Sequence, residues 1–348
     1  MTKTKKINFA IIGCGRIASR HAKHIYNNKQ AKLYALCDIK IKKAKKLGEK
    51  YNCSLIFKNY KDLLANNKVD VVNICTPNGL HAEMAINALK KNKNVLCEKP
   101  MCLKTADGEK MIKWAKHNNK QLFIVKQNRY NPPVKLTKNI LEKKLLGKIY
   151  LCTANLFWNR NDDYYKQSEW RGTKKMDGGT LFTQYSHFID LLLWFNGKIE
   201  SVFAQTKNYN HKNVKFEDTG IVLIKFKNGS LGTINFTTCS YGKNMEGSIY
   251  ILGTKGSIKI GGEYINTLDY WNISGLKRPR IEKGSPANNY GFYKGSMSNH
   301  DQVIQNVIDV LNKKEKIKTN SEEGLETIKV INAIYKSARL NKKIYLKI

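Results

Sequence analysis

Several things are scarce in this chain of 348 residues, and each scarcity excludes something. No stretch is long and apolar enough to span a bilayer, which takes about 20 such residues. Met1 to Lys6 is polar and the apolar run behind it stops at Gly13, so no secretory leader is read there. Of the eight cysteines, five (Cys14, Cys37, Cys53, Cys75, Cys97) fall in the first hundred residues without C-x-x-C spacing. That pattern argues against both zinc and disulfides and points to a reducing cytoplasm. Acidic residues number 27 against 62 Lys and Arg, a formal net charge of +35. Only eight of the basic residues are Arg, and the Lys are spread along the whole chain instead of being gathered on one element, as in proteins that read a groove. Neither a specific nucleic-acid partner nor a membrane is expected; the field acts as a generic attraction for anions such as a diphosphate.

The length suits two domains. Ile7 to Ile12 is a short apolar run ending at glycine, Ile17 to Tyr26 has helical spacing, and Leu33 to Cys37 is apolar again before Asp38. The alternation continues with helices at 41–51, 60–65, 81–91 and 105–118 and strands at 69–75, 94–97 and 121–125, which predicts a parallel sheet covered on both faces. Pro132-Pro133 marks a junction. Beyond it, a helix at 134–146 precedes longer, partly alternating strands at 149–159, 199–209, 220–226, 231–238, 248–252 and 257–260, with helical periodicity at 181–195, 301–312 and 321–340. The stretch 264–293 reads as a long irregular excursion. The expected fold is an α/β Rossmann-type parallel-sheet domain, residues 1–127, followed by an α+β domain with a large mixed, mostly antiparallel sheet, residues 128–348.

Gly13-Cys14-Gly15-Arg16-Ile17-Ala18 follows the first strand and opens a helix. In a G-x-G-x-x-A turn the first glycine permits the tight turn, the second lets the backbone approach a pyrophosphate, and the small third residue lets helix pack on strand. The pyrophosphate then sits at a helix N-terminus, where the amides and the dipole favour an anion. Asp38, at the end of the second strand, has the spacing of an acid that accepts from an adenosine ribose. Its carboxylate would repel a 2′-phosphate, so NAD is favoured over NADP, although Lys40, Lys42 and Lys43 lie just beyond.

Glu98-Lys99-Pro100 puts a lysine at the carboxyl end of a parallel strand, where open α/β sheets bind ligands. Two more segments accompany it: Thr76-Pro77-Asn78 before His81, and Gly178-Gly179 before His187 and Asp190. Together these motifs resemble the Gfo/Idh/MocA family of sugar and polyol oxidoreductases over nearly the whole chain. The resemblance implies that Lys99 and His187 face the reacting carbon. Oxidising a secondary alcohol needs a base for the hydroxyl proton while hydride leaves. His187 suits the base and Lys99 a donor to the developing oxyanion, and the sequence leaves the exchange of these roles open. The candidate cofactor residues are Gly13, Gly15, Arg16, Ile17, Asp38, Thr76, Pro77, Asn78, His81, Glu98, Lys99 and Gln127. No metal site is expected.

Many polyol dehydrogenases of the family carry Asp four residues before the histidine, where this chain has Thr183, which weakens an inositol-type reading. The segments Lys126 to Pro132, Phe157 to Arg160, Tyr164-Tyr165 and Trp170 to Thr173 are similar instead to the branch that oxidises C3 of nucleotide-linked N-acetylhexosamines. That similarity implies UDP-N-acetylglucosamine or its uronate as substrate and a 3-keto product passed to a partner aminotransferase for 3-amino sugars of surface polysaccharide or lipid A. Candidate substrate residues are Arg129, Tyr130, Asn131, Arg160, Tyr165, Trp170, Arg171, Thr183 and Gln184, the planar guanidinium groups suiting diphosphate or carboxylate. Asn299-His300 also comes into view, though a helix start at Ser298 accounts for it better. A homo-oligomer, dimer or tetramer, is implied by the same relatives. A free-sugar or inositol dehydrogenase, or a non-catalytic NAD-binding regulator of the same fold, are the alternatives.

Overall fold

The computed structural model describes residues 6–282, 284–289 and 294–346. By packing, the chain divides into two units: residues up to Lys126 with His300–Ile328, and Gln127–Asn299 with Lys329 onward.

The first unit begins with β1 (Ile7–Ile12), whose last four residues are buried, as a strand covered on both faces requires. It is followed by α1 (Arg16–Asn27), β2 (Ala31–Cys37), α2 (Ile41–Lys50), β3 (Ile56–Phe57), α3 (Tyr60–Ala65), β4 (Val71–Ile74), α4 (His81–Lys90), β5 (Asn94–Cys97), α5 (Thr105–His117) and β6 (Leu122–Ile124). The described strands form one sheet in the order β3-β2-β1-β4-β5-β6, with every pairing parallel. The two-residue β3 is too short to leave a periodic signal. Right-handed crossovers put the helices that follow β1 and β2 on one face and those that follow β4 and β5 on the other, and α4 packs against α5 accordingly. The strand order reverses between β1 and β4, and the crevice at the carboxyl ends of these strands is where such sheets bind ligands.

The second unit contains α6 (Pro132–Glu142), β7 (Ile149–Phe157), α7 (Asp162–Lys166), α8 (Ser186–Asn196), β8 (Ile199–Lys207), β9 (Thr219–Phe226), β10 (Leu231–Thr237), β11 (Glu246–Gly253), β12 (Gly256–Gly261), β13 (Thr267–Ile273), β14 (Ala287–Asn289) and β15 (Lys294–Met297). After it come α9 (His300–Leu311), α10 (Ser321–Leu340) and β16 (Ile344–Tyr345). Helix α9 belongs to the first unit, where it packs on α1, and α10 starts in the first unit and ends in the second. Ahead of α10, Ile124 donates its amide to the Thr319 carbonyl at 3.0 Å, so the returning chain covers the β6 edge.

The large described sheet runs β13-β12-β11-β7-β10-β9-β8-β16, with only β7 and β10 parallel. Strand β9 alternates strictly, with Gly220, Val222, Ile224 and Phe226 turned to the core and Ile221 and Leu223 more than half exposed. Helix α8 packs on β7 and is buried on nearly every side, which explains its mostly apolar sequence, with His187 and Asp190 as buried polar exceptions. The irregular excursion expected at 264–293 is corrected: β13 pairs antiparallel with β12, Ile258 opposite Trp271. As an edge strand mostly open to solvent, Thr267–Ile273 needs little apolar alternation and so gave no strand signal. Residues 283 and 290–293 of that stretch lie outside the described residues.

At Gly232, where β10 runs beside β7, a Cβ would overlap the Cys152 carbonyl oxygen. Gly232→Ala is expected to lower stability by ~2 kcal/mol through overpacking, read as a reduced urea midpoint with an unchanged slope.

Candidate active site

In the first unit the candidate residues gather at the carboxyl ends of adjacent strands. Gly13 follows β1 with φ of 90°, and a Cβ on it would lie 2.8 Å from the Cys75 backbone after β4. Glycine is therefore needed for both conformation and space. Gly15 is the opposite case: as the residue before α1 it offers no side-chain cap, and nothing lies within 4 Å of where its Cβ would be. An uncapped helix N-terminus starting at Arg16 and Ile17, behind open space, fits a pyrophosphate. Asp38 anchors the turn, its Oδ2 accepting from the Cys14 amide at 2.8 Å and its Oδ1 from the Lys40 amide at 2.7 Å. Thr76 follows β4 and its Oγ1 is buried without a partner, a polar atom left for a ligand. Pro77 and Asn78 continue the same edge. These features fit NAD.

Two predicted cofactor residues turn out to hold this edge together. The ring nitrogens of His81 face the carbonyls of Pro100 at 2.7 Å and Thr76 at 2.9 Å, tying the Thr-Pro-Asn loop to the Glu-Lys-Pro turn. Glu98 is buried, with Oε1 accepting from His21 Nε2 at 2.8 Å and Oε2 from the Lys99 amide at 3.1 Å. His21 Nδ1 in turn accepts from Asn73 Nδ2 at 3.2 Å, which leaves the ring proton on Nε2, and His300 Nε2 lies 3.7 Å from Glu98 Oε1. Burial by itself would raise the Glu98 pKa, but the two histidines outweigh it and hold the carboxyl well below its usual range. His300 thus belongs to this cluster at the start of α9.

In the second unit, the 3-10 turn Gln127–Tyr130 reads one face of α8. Gln127 Nε2 lies 3.1 Å from His187 Nε2 and donates to Ser296 Oγ at 3.0 Å. With the amide nitrogen donating, His187 Nε2 is an acceptor, the state a base requires. Two residues on, Arg129 grips Asp190 through Nε (2.8 Å) and Nη2 (2.7 Å), with its guanidinium 4.8 Å from the Trp194 ring centre. Its fork is engaged with a protein acid, so its place is in positioning α8. Asn131 bridges the carbonyls of Tyr264 and Ile265 and accepts from Asn299 Nδ2 at 2.7 Å; Tyr130 is buried beside it in sequence.

Arg160 is likewise interior: Nε donates to Gln184 Oε1 at 2.8 Å and Nη1 to Asn244 Oδ1 at 3.1 Å, and the group lies over Trp158 and Tyr164. Gln184 Nε2 donates to the Tyr164 hydroxyl at 2.6 Å, and Arg171 contacts that hydroxyl while stacking on the Tyr164 and Trp170 rings. Tyr165 packs edge-on against Tyr164 and His211, and burial pushes its phenol up. Thr183 donates to the carboxylate of Asp177, six residues before it. Lys99 belongs to the first unit and His187 to the second.

Sequence reasoning missed the support under the Gly178-Gly179 turn. Gly179 has φ of 143°, and a Cβ on it would run into the Tyr335 hydroxyl. That hydroxyl donates to Glu217 Oε1 at 2.6 Å and accepts from the Leu181 amide at 3.1 Å; Thr180 N also donates to Glu217 Oε1, at 3.1 Å. The glycine pair was the only sequence trace of this packing. Burial pushes the Glu217 carboxyl up to about 7, against the hydrogen bonds that lower it.

Because the native state holds that proton more tightly than the unfolded chain, Glu217 favours folding at low pH. Its contribution is lost as pH rises from the unfolded value near 4.5 through about 7, roughly 3 kcal/mol in all. Glu217→Gln should flatten this part of the stability profile, measured by denaturation across pH 4 to 8. Asp38→Ala should weaken NAD binding by ~10-fold or more and narrow the preference over NADP, measured by fluorescence titration.

Comparison with known proteins agrees with this geometry. Residues 7–126 match the oxidoreductase family, NAD-binding Rossmann fold, and residues 138–347 match the oxidoreductase family, C-terminal alpha/beta domain. The WlbA dehydrogenase of Bordetella pertussis, solved with NADH and UDP-GlcNAcA, is 34% identical with a TM-score of 0.89 over 99% of this chain and 100% of that one. The WlbA dehydrogenase of Chromobacterium violaceum, also with NADH and UDP-GlcNAcA, is 36% identical with a TM-score of 0.90 over 100% and 98%. Myo-inositol 2-dehydrogenase of Thermotoga maritima is 28% identical over 72% of this chain and 74% of its own. The chain belongs to the Gfo/Idh/MocA family of NAD-binding oxidoreductases.

Proposed function

We propose that this protein oxidises the C3 hydroxyl of a UDP-linked N-acetylhexosamine, UDP-N-acetylglucosamine or its uronate, to the 3-keto sugar. The observation that carries the reading is the likeness along the whole chain to two dehydrogenases solved with NADH and UDP-GlcNAcA. Thr183 in place of an acid supports it against the inositol relatives.

Gly13, Gly15, Arg16, Ile17, Asp38, Thr76 and Asn78 hold the cofactor in this proposal, while His81 and Glu98 brace the loops that carry it. Bound NAD supplies the hydride acceptor. His187 takes the hydroxyl proton at Nε2, the nitrogen that Gln127 keeps in its accepting state. Lys99 donates to the oxygen as negative charge develops, with its backbone fixed through Glu98. Arg171, Trp170 and Tyr165 contribute to the nucleotide-sugar wall, and Arg129, Arg160, Gln184, Tyr130 and Asn131 shape it from behind. The net positive charge raises the local concentration of a diphosphate. The 3-keto product has the carbonyl that a partner aminotransferase needs. In the same proposal the chain self-associates through the face of the eight-stranded sheet that carries Ile221, Leu223 and Leu231, and their exposure of more than half supports that reading.

Absorbance of NADH is followed with purified protein, NAD and, in turn, UDP-N-acetylglucosamine, its uronate and myo-inositol, with a 2-oxo acid in a parallel set to relieve trapped NADH. Turnover of one UDP-sugar, with kcat reduced ~100-fold or more in both Lys99→Ala and His187→Ala, is the expected result. Turnover of myo-inositol alone, or none with tight NAD binding, would sink the proposal.

A further inference from the structure

His211 and Asp218, on the connection between β8 and β9, and Cys239, just after β10, converge in the second unit beside a polar cavity of about 470 Å³. His211 and Cys239 line that cavity, together with Asp162 and Asp163. The His211 and Asp218 side chains are buried, and Cys239 is the single cysteine of the eight that is not fully buried.

The hydrogen bonding sets the chemistry. His211 Nε2 lies 2.5 Å from the Arg160 carbonyl, which can only accept, so that nitrogen carries a proton. The other nitrogen, Nδ1, faces Asp218 Oδ2 at 3.1 Å and Cys239 Sγ at 3.8 Å. A neutral ring would then aim a lone pair at a carboxylate. Either a second proton or a cation has to lie between them.

The arrangement has the dimensions of a cation site. The three donor atoms all lie within 4.8 Å of one another. In tetrahedral zinc, ligand atoms stand ~3.3 to 3.7 Å apart, and the Nδ1–Oδ2 and Nδ1–Sγ separations of 3.1 and 3.8 Å lie within a few tenths of an ångström of that range. The supporting contacts also match: a ligating histidine ordinarily donates its other N–H to a carbonyl or carboxylate, and ligating carboxylates are themselves hydrogen-bonded. Asp218 Oδ2 accepts from the amides of Tyr209 (3.0 Å), Asn210 (2.8 Å) and His211 (3.3 Å), and Oδ1 from Thr219 Oγ1 (3.0 Å), so a metal at Oδ2 would have to displace part of this amide cradle. In a chain with more than two basic residues for every acid, Asp162 and Asp163 at the same cavity favour a cation locally.

We propose that His211 Nδ1, Asp218 Oδ2 and the Cys239 thiolate bind one zinc ion, with a fourth position open to the cavity. Nitrogen, oxygen and sulfur donors together suit a borderline-soft divalent ion. Binding releases the Cys239 thiol proton to solvent and involves no redox step. The site would clamp the connection between β8 and β9 to the end of β10, next to the Arg160 that orients Gln184. The absence of C-x-x-C spacing does not bear on it, because two ligands come from a loop and the third from a strand end.

Full-length protein is stripped with a chelator, dialysed and titrated with cobalt(II). The expected result is a single equivalent bound with a thiolate-to-cobalt charge-transfer band, displaced by zinc and lost in Cys239→Ser. The cluster of His21, Glu98 and His300 contains no sulfur, so cobalt there would give no such band. In the unsubstituted chain, zinc should slow alkylation of Cys239 by ~10-fold or more, read by peptide mass spectrometry, a measurement independent of how the variant folds. No retained cobalt, cobalt bound without the thiolate band, or alkylation unaffected by zinc would overturn the site and leave an imidazolium–carboxylate pair in its place.

Discussion

The buried carboxylate of Glu98 is the constraint around which the ligand edge of the first unit is built. A charge taken out of water costs several kcal/mol unless it is paired and hydrogen-bonded. Here His21 supplies the hydrogen bond and His300 stands close by. His21 lies on α1, the helix whose N-terminus follows the glycine turn, and the other carboxylate oxygen holds the Lys99 amide. The cofactor turn and the lysine are therefore joined through one side chain. His300 opens α9, so the return of the chain to this unit completes the surroundings of the same carboxylate.

The second unit treats positive charge similarly. Arg129 and Arg160 are both buried, and each uses the planar fork of guanidinium inward: Arg129 on Asp190, Arg160 on Gln184 and Asn244. Lysine could not replace them, since one ammonium cannot span the same set of acceptors. Both guanidinium groups fix helices and loops of this unit. The Gln127–Tyr130 turn shows the result, gripping α8 at His187 and Asp190, one helical turn apart. Arg171, by contrast, stacks on the rings of Tyr164 and Trp170.

Much of the first unit was legible because parallel strands buried on both faces read as short apolar runs, and because the glycine turn and Asp38 recur at fixed spacing. The second unit was less so. Edge strand β13 lies mostly in solvent and carries little alternation, and β16 is only two residues long. Glu217 and Tyr335, which hold the Gly178-Gly179 turn, are more than a hundred residues apart and leave no local pattern.

The sequence by itself determined the fold class, the family and the residue types available for chemistry, because these follow from periodicity and short motifs that act over neighbouring positions. Only the tertiary structure decided what each polar group is used for. Glu98 and His81 brace the loops of the first unit, and Arg129 and Arg160 are held by side chains of the second unit's interior. The physical reason is that a buried charge or donor must find its partner in space, and the partner that satisfies it is set by packing between distant segments.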